Sequence, residues 1–230
     1  MAKDNIWRLL KNKGFSDVAA AAIMGNMEAE SSCVSSRLQS DFTYGYTRSA
    51  EYTAQVDKGI ISRDDFIYHG PGGGGYGLLQ WTFWSRKAGL FDLAEEHGVS
   101  IADEALQVDW LLRELWQSEF KKVIEVLNTS DSIRECSDVL VKSFLRPANQ
   151  SESVLAYRAG LGREFYEEYA DLETDDTDGF EDEEEEEDEE ELCYGDIIEV
   201  DADTYKVLEK CAMIMLELKD VIRMLEELPI

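Results

Sequence analysis

Apolar residues recur at helical spacing along most of the first 170 positions, and the chain reads as predominantly α with a smaller β contribution. Residues 3–13 carry Ile6, Trp7, Leu9 and Leu10 on one side, and Gly14 supplies the stop. Ser16 or Asp17 then caps a second helix through residues 18–24, whose run of alanines suits close packing in the centre of a domain. Segment 32–75 is polar and shows no strong period, so a short β-hairpin or loops beside a cleft are expected there. From Arg86 to about residue 170 the helical signal returns. Leu90, Leu93 and Ala94 form one stripe; Ala105, Val108, Leu111, Leu112 and Leu115 form another; Val123, Ile124 and Leu127 form a third. Asp131 or Ser132 caps the next helix, which Arg146-Pro147 ends, and a last helix covers roughly 151–170.

Beyond residue 170 the pattern changes. Residues 171–191 hold 16 acids and no base, a composition that resists collapse and reads as an extended, disordered linker over 171–195. Residues 196–230 follow with a short strand at Ile197, Ile198 and Val200. Val207, Cys211, Ile214, Leu218, Val221, Leu225 and Leu228 then alternate spacings of four and three. That is a heptad stripe, and it predicts an amphipathic helix over 204–228 for docking on its own domain, for self-association or for the groove of a partner protein.

Charge sharpens this division. The net charge is −28, yet residues 1–170 hold 18 Lys+Arg against 25 Asp+Glu, whereas 171–230 hold 4 against 25. Such a balance excludes nucleic acid as an expected partner, because phosphate backbones require clustered lysine and arginine. The four cysteines, at 33, 136, 193 and 211, form no CxxC, and two histidines are too few for an expected zinc site. Free buried thiols are the expectation, with no metal and no cofactor. The first residues turn polar before a signal-peptide core can form, and no apolar run reaches the roughly 20 residues of a membrane span. Synthesis in the cytoplasm without a signal peptide follows as the expectation.

Two short stretches carry chemistry. Gly25-Asn26-Met27-Glu28-Ala29-Glu30-Ser31 puts a carboxylate at the end of the alanine-rich helix. Glu28 lies about 200° away around that helix and points elsewhere. Partial burial at such a position raises a carboxyl group towards the range of a general acid, which makes Glu30 the candidate for protonating a glycosidic oxygen. Gly75-Tyr76-Gly77-Leu78-Leu79-Gln80-Trp81-Thr82 supplies a glycine for close backbone approach and an amide with both donor and acceptor. Tyr76, Trp81, Phe83 and Trp84 add flat faces for sugar rings, with at least one of Trp81 and Trp84 expected in the core. The Gly72–Gly75 run lacks the Gly-Lys-Ser/Thr ending of a phosphate loop and reads as a hinge into the hairpin.

These motifs, with Arg86 following, resemble those of the phage tail lysozyme family, peptidoglycan-cleaving domains of the lysozyme-like superfamily. Glu30-Ser31 and Gly77-Leu78-Leu79-Gln80 are also similar to motifs of goose-type lysozymes and soluble lytic transglycosylases. Gln107-Val108-Asp109-Trp110-Leu111 with Glu114-Leu115, and Phe144-Leu145-Arg146-Pro147 before Arg158, fit more loosely. The resemblance spans residues 4–170. It implies a lysozyme-like domain over 1–170, Glu30 as catalytic acid, and Ser31, Tyr76, Gln80 and Trp81 as substrate-binding or supporting residues. It also implies action on the bacterial cell wall, either as part of a virion or on release at lysis, with a phage protein as the partner that 204–228 could dock. A hydrolase needs a second group; Asp41, Asp57, Asp64 and Asp65 are candidates, none distinguished by its neighbours. A lytic transglycosylase, giving anhydro products, needs none. The resemblance favours hydrolysis, and a non-catalytic glycan-binding or structural module is the remaining alternative.

Overall fold

Helix α2, Asp17–Ser31, runs through the centre of the folded part, and its composition explains why. Ala19 to Met27 are all buried, so no side of the helix between them faces water, and it has no polar face to orient it. Ser16 starts it, its Oγ accepting from the Ala19 N–H, and Ser32 ends it in the left-handed conformation. The computed structural model describes residues 2–39, 49–68 and 74–170. Asp41, part of the 72–75 glycine run, the acidic segment and the heptad stripe of 204–228 lie outside the described residues.

Around α2 stand α1, Ala2–Asn12; α3, Ser49–Asp57; α4, Arg63–Tyr68; α5, Trp84–His97; α6, Glu104–Leu115; α7, Lys121–Thr129; α8, Ile133–Val139; and α9, Glu152–Tyr169. A 3₁₀ turn, Ser118–Phe120, leads into α7, and a π-helical turn, Leu140–Leu145, prolongs α8. Helix α9 packs most closely on α2. A Cβ at Gly25 would stand 2.5 Å from the Gly162 nitrogen and 2.7 Å from the Arg158 carbonyl oxygen, both backbone atoms that cannot swing away. A Cβ at Gly162 would in turn meet the Ala21 oxygen at 3.0 Å. Two glycines and a row of alanines thus let two backbones touch, which brings Arg158 of α9 alongside the last turn of α2.

The expected helices at both ends of the folded part are present. Segment 32–75 differs from expectation: α3 and α4 fall in it, burying Tyr52, Thr53 and Val56 on one and Phe66 and Ile67 on the other. Five buried positions on two short helices make too brief a pattern to show as a period. The expected hairpin is reduced, among the described residues, to isolated antiparallel bridges from Tyr76 to Leu38 and to Trp81. Its turn closes within four residues, and the chain enters α5 three residues after Trp81, so no ladder can extend. Among the described residues no helix is long and apolar enough to cross a membrane. Cys33 and Cys136 are both buried and unbridged.

Candidate active site

A cleft of about 810 Å³ opens at the C-terminal end of α2. Glu30 and Ser31 enter it from that helix, Gln80, Thr82 and Phe83 from the turn before α5, and Leu145, Arg146 and Pro147 from the end of the π-helical turn. Glu30 is 19 % exposed. Its Oε1 accepts from Arg158 Nη2 at 2.7 Å, and the same guanidinium donates through Nη1 to Asn26 Oδ1 at 3.2 Å. Asn26, buried one turn below Glu30, donates in its turn to the Ala22 carbonyl at 2.9 Å and to Ser137 Oγ at 3.1 Å. A relay from α8 through α2 to α9 therefore fixes the carboxylate. Glu28 belongs elsewhere, as its helical position requires: it pairs with Lys3 of α1 at 2.9 Å.

Ser31 is buried and joins the two motifs. Its Oγ lies 2.9 Å from the carbonyls of both Met27 and Leu78, so the helix end and the turn share one hydroxyl. The turn itself rests on Gln107, which is fully buried. Gln107 Oε1 accepts from the Leu78 N–H at 2.8 Å, and its Nε2 donates to Ser35 and Ile101. Gly77 has φ +79, and a Cβ there would lie 2.7 Å from Gln107 Oε1, so this position requires glycine for both reasons.

The structure places the remaining sequence candidates as follows. Gln80 lines the cleft with φ +50, but its Nε2 already donates to the carbonyls of Arg37 at 3.0 Å and Gly77 at 3.1 Å. What it has left for a ligand is the acceptor, Oε1. Tyr76 and Trp81, expected at the cleft, are instead wholly buried. The Tyr76 hydroxyl meets Thr53 Oγ1 at 2.6 Å, and burial raises the phenol well above its ordinary range. Trp81 Nε1 donates to Glu114 Oε2 at 2.7 Å. Large rings with a satisfied polar tip stabilise a core as readily as they line a cleft. Of the four aromatics expected at the cleft, the exposed two are Phe83, which lines it, and Trp84, in contact with Phe83 and Tyr68 at ring separations of 5.9 and 6.3 Å.

Of the candidates for a second carboxylate, three are engaged away from the cleft walls. Asp57 accepts from Ser100 Oγ and the Ile101 N–H, Asp64 stands 3.9 Å from Arg63, and Asp65 bonds to Ser62 at the start of α4. Among the described residues that line the cleft, Glu30 is the one carboxylate. No group of three or more His, Cys, Asp or Glu among the described residues could hold a metal ion.

Two residues that matter here had no assigned role in the sequence. Arg158 sits on α9 among Leu155, Ala159 and Gly162, all buried. An arginine on a buried face needs an acceptor, and that is the signal that could have found it. Glu114 likewise occupies the buried side of α6, 2 % exposed, and its carboxylate receives Arg86 through two bonds.

Lys87 of α5 has no counter-ion among the described residues. It is 3 % exposed, its Nζ 3.3 Å from the Gly74 carbonyl and 4.5 Å from the Phe66 ring centroid, and burial pushes its pKa down to about 8. The unfolded side chain titrates near 10.5. Between those values the unfolded state holds more protons, so this group's contribution to stability rises with pH, and the cost of the buried charge is fully present below pH 8. The stability advantage of Lys87→Met over the parent should therefore shrink as pH rises from 8 to 10.5. Paired urea titrations read it; an advantage independent of pH would refute the assignment.

The family model described as phage tail lysozyme matches residues 2–169, which includes every cleft residue named above. No curated protein matches the chain.

Proposed function

The chain belongs to the phage tail lysozyme family, which implies a lysozyme-like action on peptidoglycan, and from that premise we propose that it cleaves the β-1,4 glycan strand with Glu30 as general acid. The observation that carries the proposal is the seating of Glu30. Among the described residues a single carboxylate, held by Arg158, stands in the wall of a cleft that Gln80 and the exposed ring of Phe83 also line. Arg158 occupies Oε1, which leaves Oε2 as the oxygen to carry and transfer the proton. Gln80 accepts from an N-acetyl N–H or a hydroxyl, and Phe83 and Trp84 offer faces to the rings beyond. Ser31 acts as a support, holding the helix end to the turn.

Family membership favours hydrolysis, in which a water, or first a nucleophile, completes the reaction. One observation favours the second reading: among the described residues Asp57, Asp64 and Asp65 do not line the cleft, and a lytic transglycosylase needs no second carboxylate because the substrate's own 6-hydroxyl attacks. Mass spectrometry of fragments released from purified walls separates the two. Reducing muramic ends are expected for hydrolysis and 1,6-anhydro ends for transglycosylation. Release of no fragment by the parent protein would remove the enzyme reading and leave a glycan-binding module. Delivery with the virion or at lysis, and attachment through 204–228, belong to the same proposal.

A further inference from the structure

Three arginines line the cleft, and they are not equivalent. Arg86 is neutralised by Glu114, as Glu30 is by Arg158. Arg37 and Arg146 make no ion pair among the described residues. Among the described residues the cleft therefore carries two uncompensated positive charges, although residues 1–170 as a whole hold seven more acids than bases (25 against 18). Each of the two arginines spends its Nε on a backbone carbonyl, Arg37 on Ser31 at 3.2 Å and Arg146 on Ser143 at 2.8 Å. The η nitrogens are left over, and that planar fork matches a carboxylate.

Arg146 is also held in an unfavourable conformation. It caps the π-helical turn at φ 50, ψ 50, the left-handed region that non-glycine residues avoid. Pro147 follows it, and a residue before proline is normally driven to extended backbone. The left-handed backbone ends the π-helical turn, as Ser32 ends α2, and it leaves the exposed Arg146 head on the cleft wall.

We propose that Arg37 and Arg146 form a carboxylate-reading pair, which recognises the free carboxylates of peptidoglycan, those of the stem peptide or of a lactyl group that carries none, on the strand that Glu30 cleaves. This rests on reading the cleft as a glycan site and adds a substrate class to it: acid-substituted strands are preferred over neutral β-1,4 N-acetylglucosamine chains. Wall polymers rich in phosphate are a second source of anions, and the test separates them.

Binding is measured on the full chain carrying Glu30→Gln, using soluble peptidoglycan strands with free carboxylates or with the same groups capped as methyl amides, which leaves any phosphate untouched. Capping should weaken binding about tenfold, the effect of losing a charge-assisted contact. Adding Arg146→Gly should bring native strands to within about threefold of capped ones, and glycine suits φ 50, so the variant keeps its fold. Equal binding of native and capped strands would overturn the pair, as would a preference that survives Arg37→Gln with Arg146→Gly. A parent protein that shows the preference yet releases no wall fragment would uphold the pair while removing the proposed cleavage.

Discussion

Glu30→Gln should release wall fragments about a thousandfold more slowly than the parent protein, the middle of the range that a positioned general acid contributes. The substitution is chosen because it changes one thing. The glutamine oxygen still accepts from Arg158 Nη2, so the relay through Asn26 to Ser137 is kept and the fold should hold. What is lost is the transferable proton. Glu28→Gln is the matched control: two residues away, in the same helix, it removes a carboxylate that pairs with Lys3 outside the cleft. Its activity should stay within about threefold of the parent, in keeping with the small worth of exposed pairs. Turbidity of a purified wall suspension gives both rates, and thermal unfolding shows that both variants are folded. Activity of Glu30→Gln within tenfold of the parent, or equal losses in the two variants, would rule out Glu30 as the acid.

The asymmetry between these two glutamates was legible in the sequence because it depends only on helical geometry. So was the core position of α2, since a run of alanine with isoleucine and methionine has no polar side to expose. Helices α3 and α4 were not legible. They bury three and two residues respectively, and a period cannot be read from so few. The roles of Tyr76 and Trp81 failed for a different reason. An aromatic residue beside a site motif serves a sugar or a core equally well, and the deciding partners, Thr53 and Glu114, lie 23 and 33 positions away. Arg158 is the extreme case, at 128 positions from Glu30. Motif reading finds residues that act on substrate, whereas the groups that hold them are found only when the chain has been folded.

Glu114 tests that distinction. It is 2 % exposed, does not line the cleft, and joins three elements by receiving Trp81 Nε1 at 2.7 Å, Arg86 Nε at 2.5 Å and Arg86 Nη2 at 2.8 Å. Glu114→Leu conserves bulk but leaves the Trp81 N–H buried without an acceptor and Arg86 without its counter-charge. Truncating one partner of a buried pair costs roughly 3–5 kcal/mol. Arg86 is 21 % exposed and keeps its stacking on the Phe144 ring at 4.4 Å, so it can recover some hydration. The lower end, about 3 kcal/mol, is therefore expected. Glu114→Gln retains an oxygen for Trp81 and should cost about half as much, the loss being confined to the charge-assisted bonds of Arg86. Urea unfolding should rank parent above Gln above Leu, and a Leu variant within about 1 kcal/mol of the parent would contradict the buried role. Cleavage should fall further than stability alone explains. Trp81 adjoins Gln80, and once its indole is released the 77–81 turn loses the anchor that keeps the Gln80 acceptor beside Glu30. A fall in kcat/KM for Glu114→Leu under conditions where that variant remains fully folded, with Glu114→Gln nearer the parent, would show that loss of position.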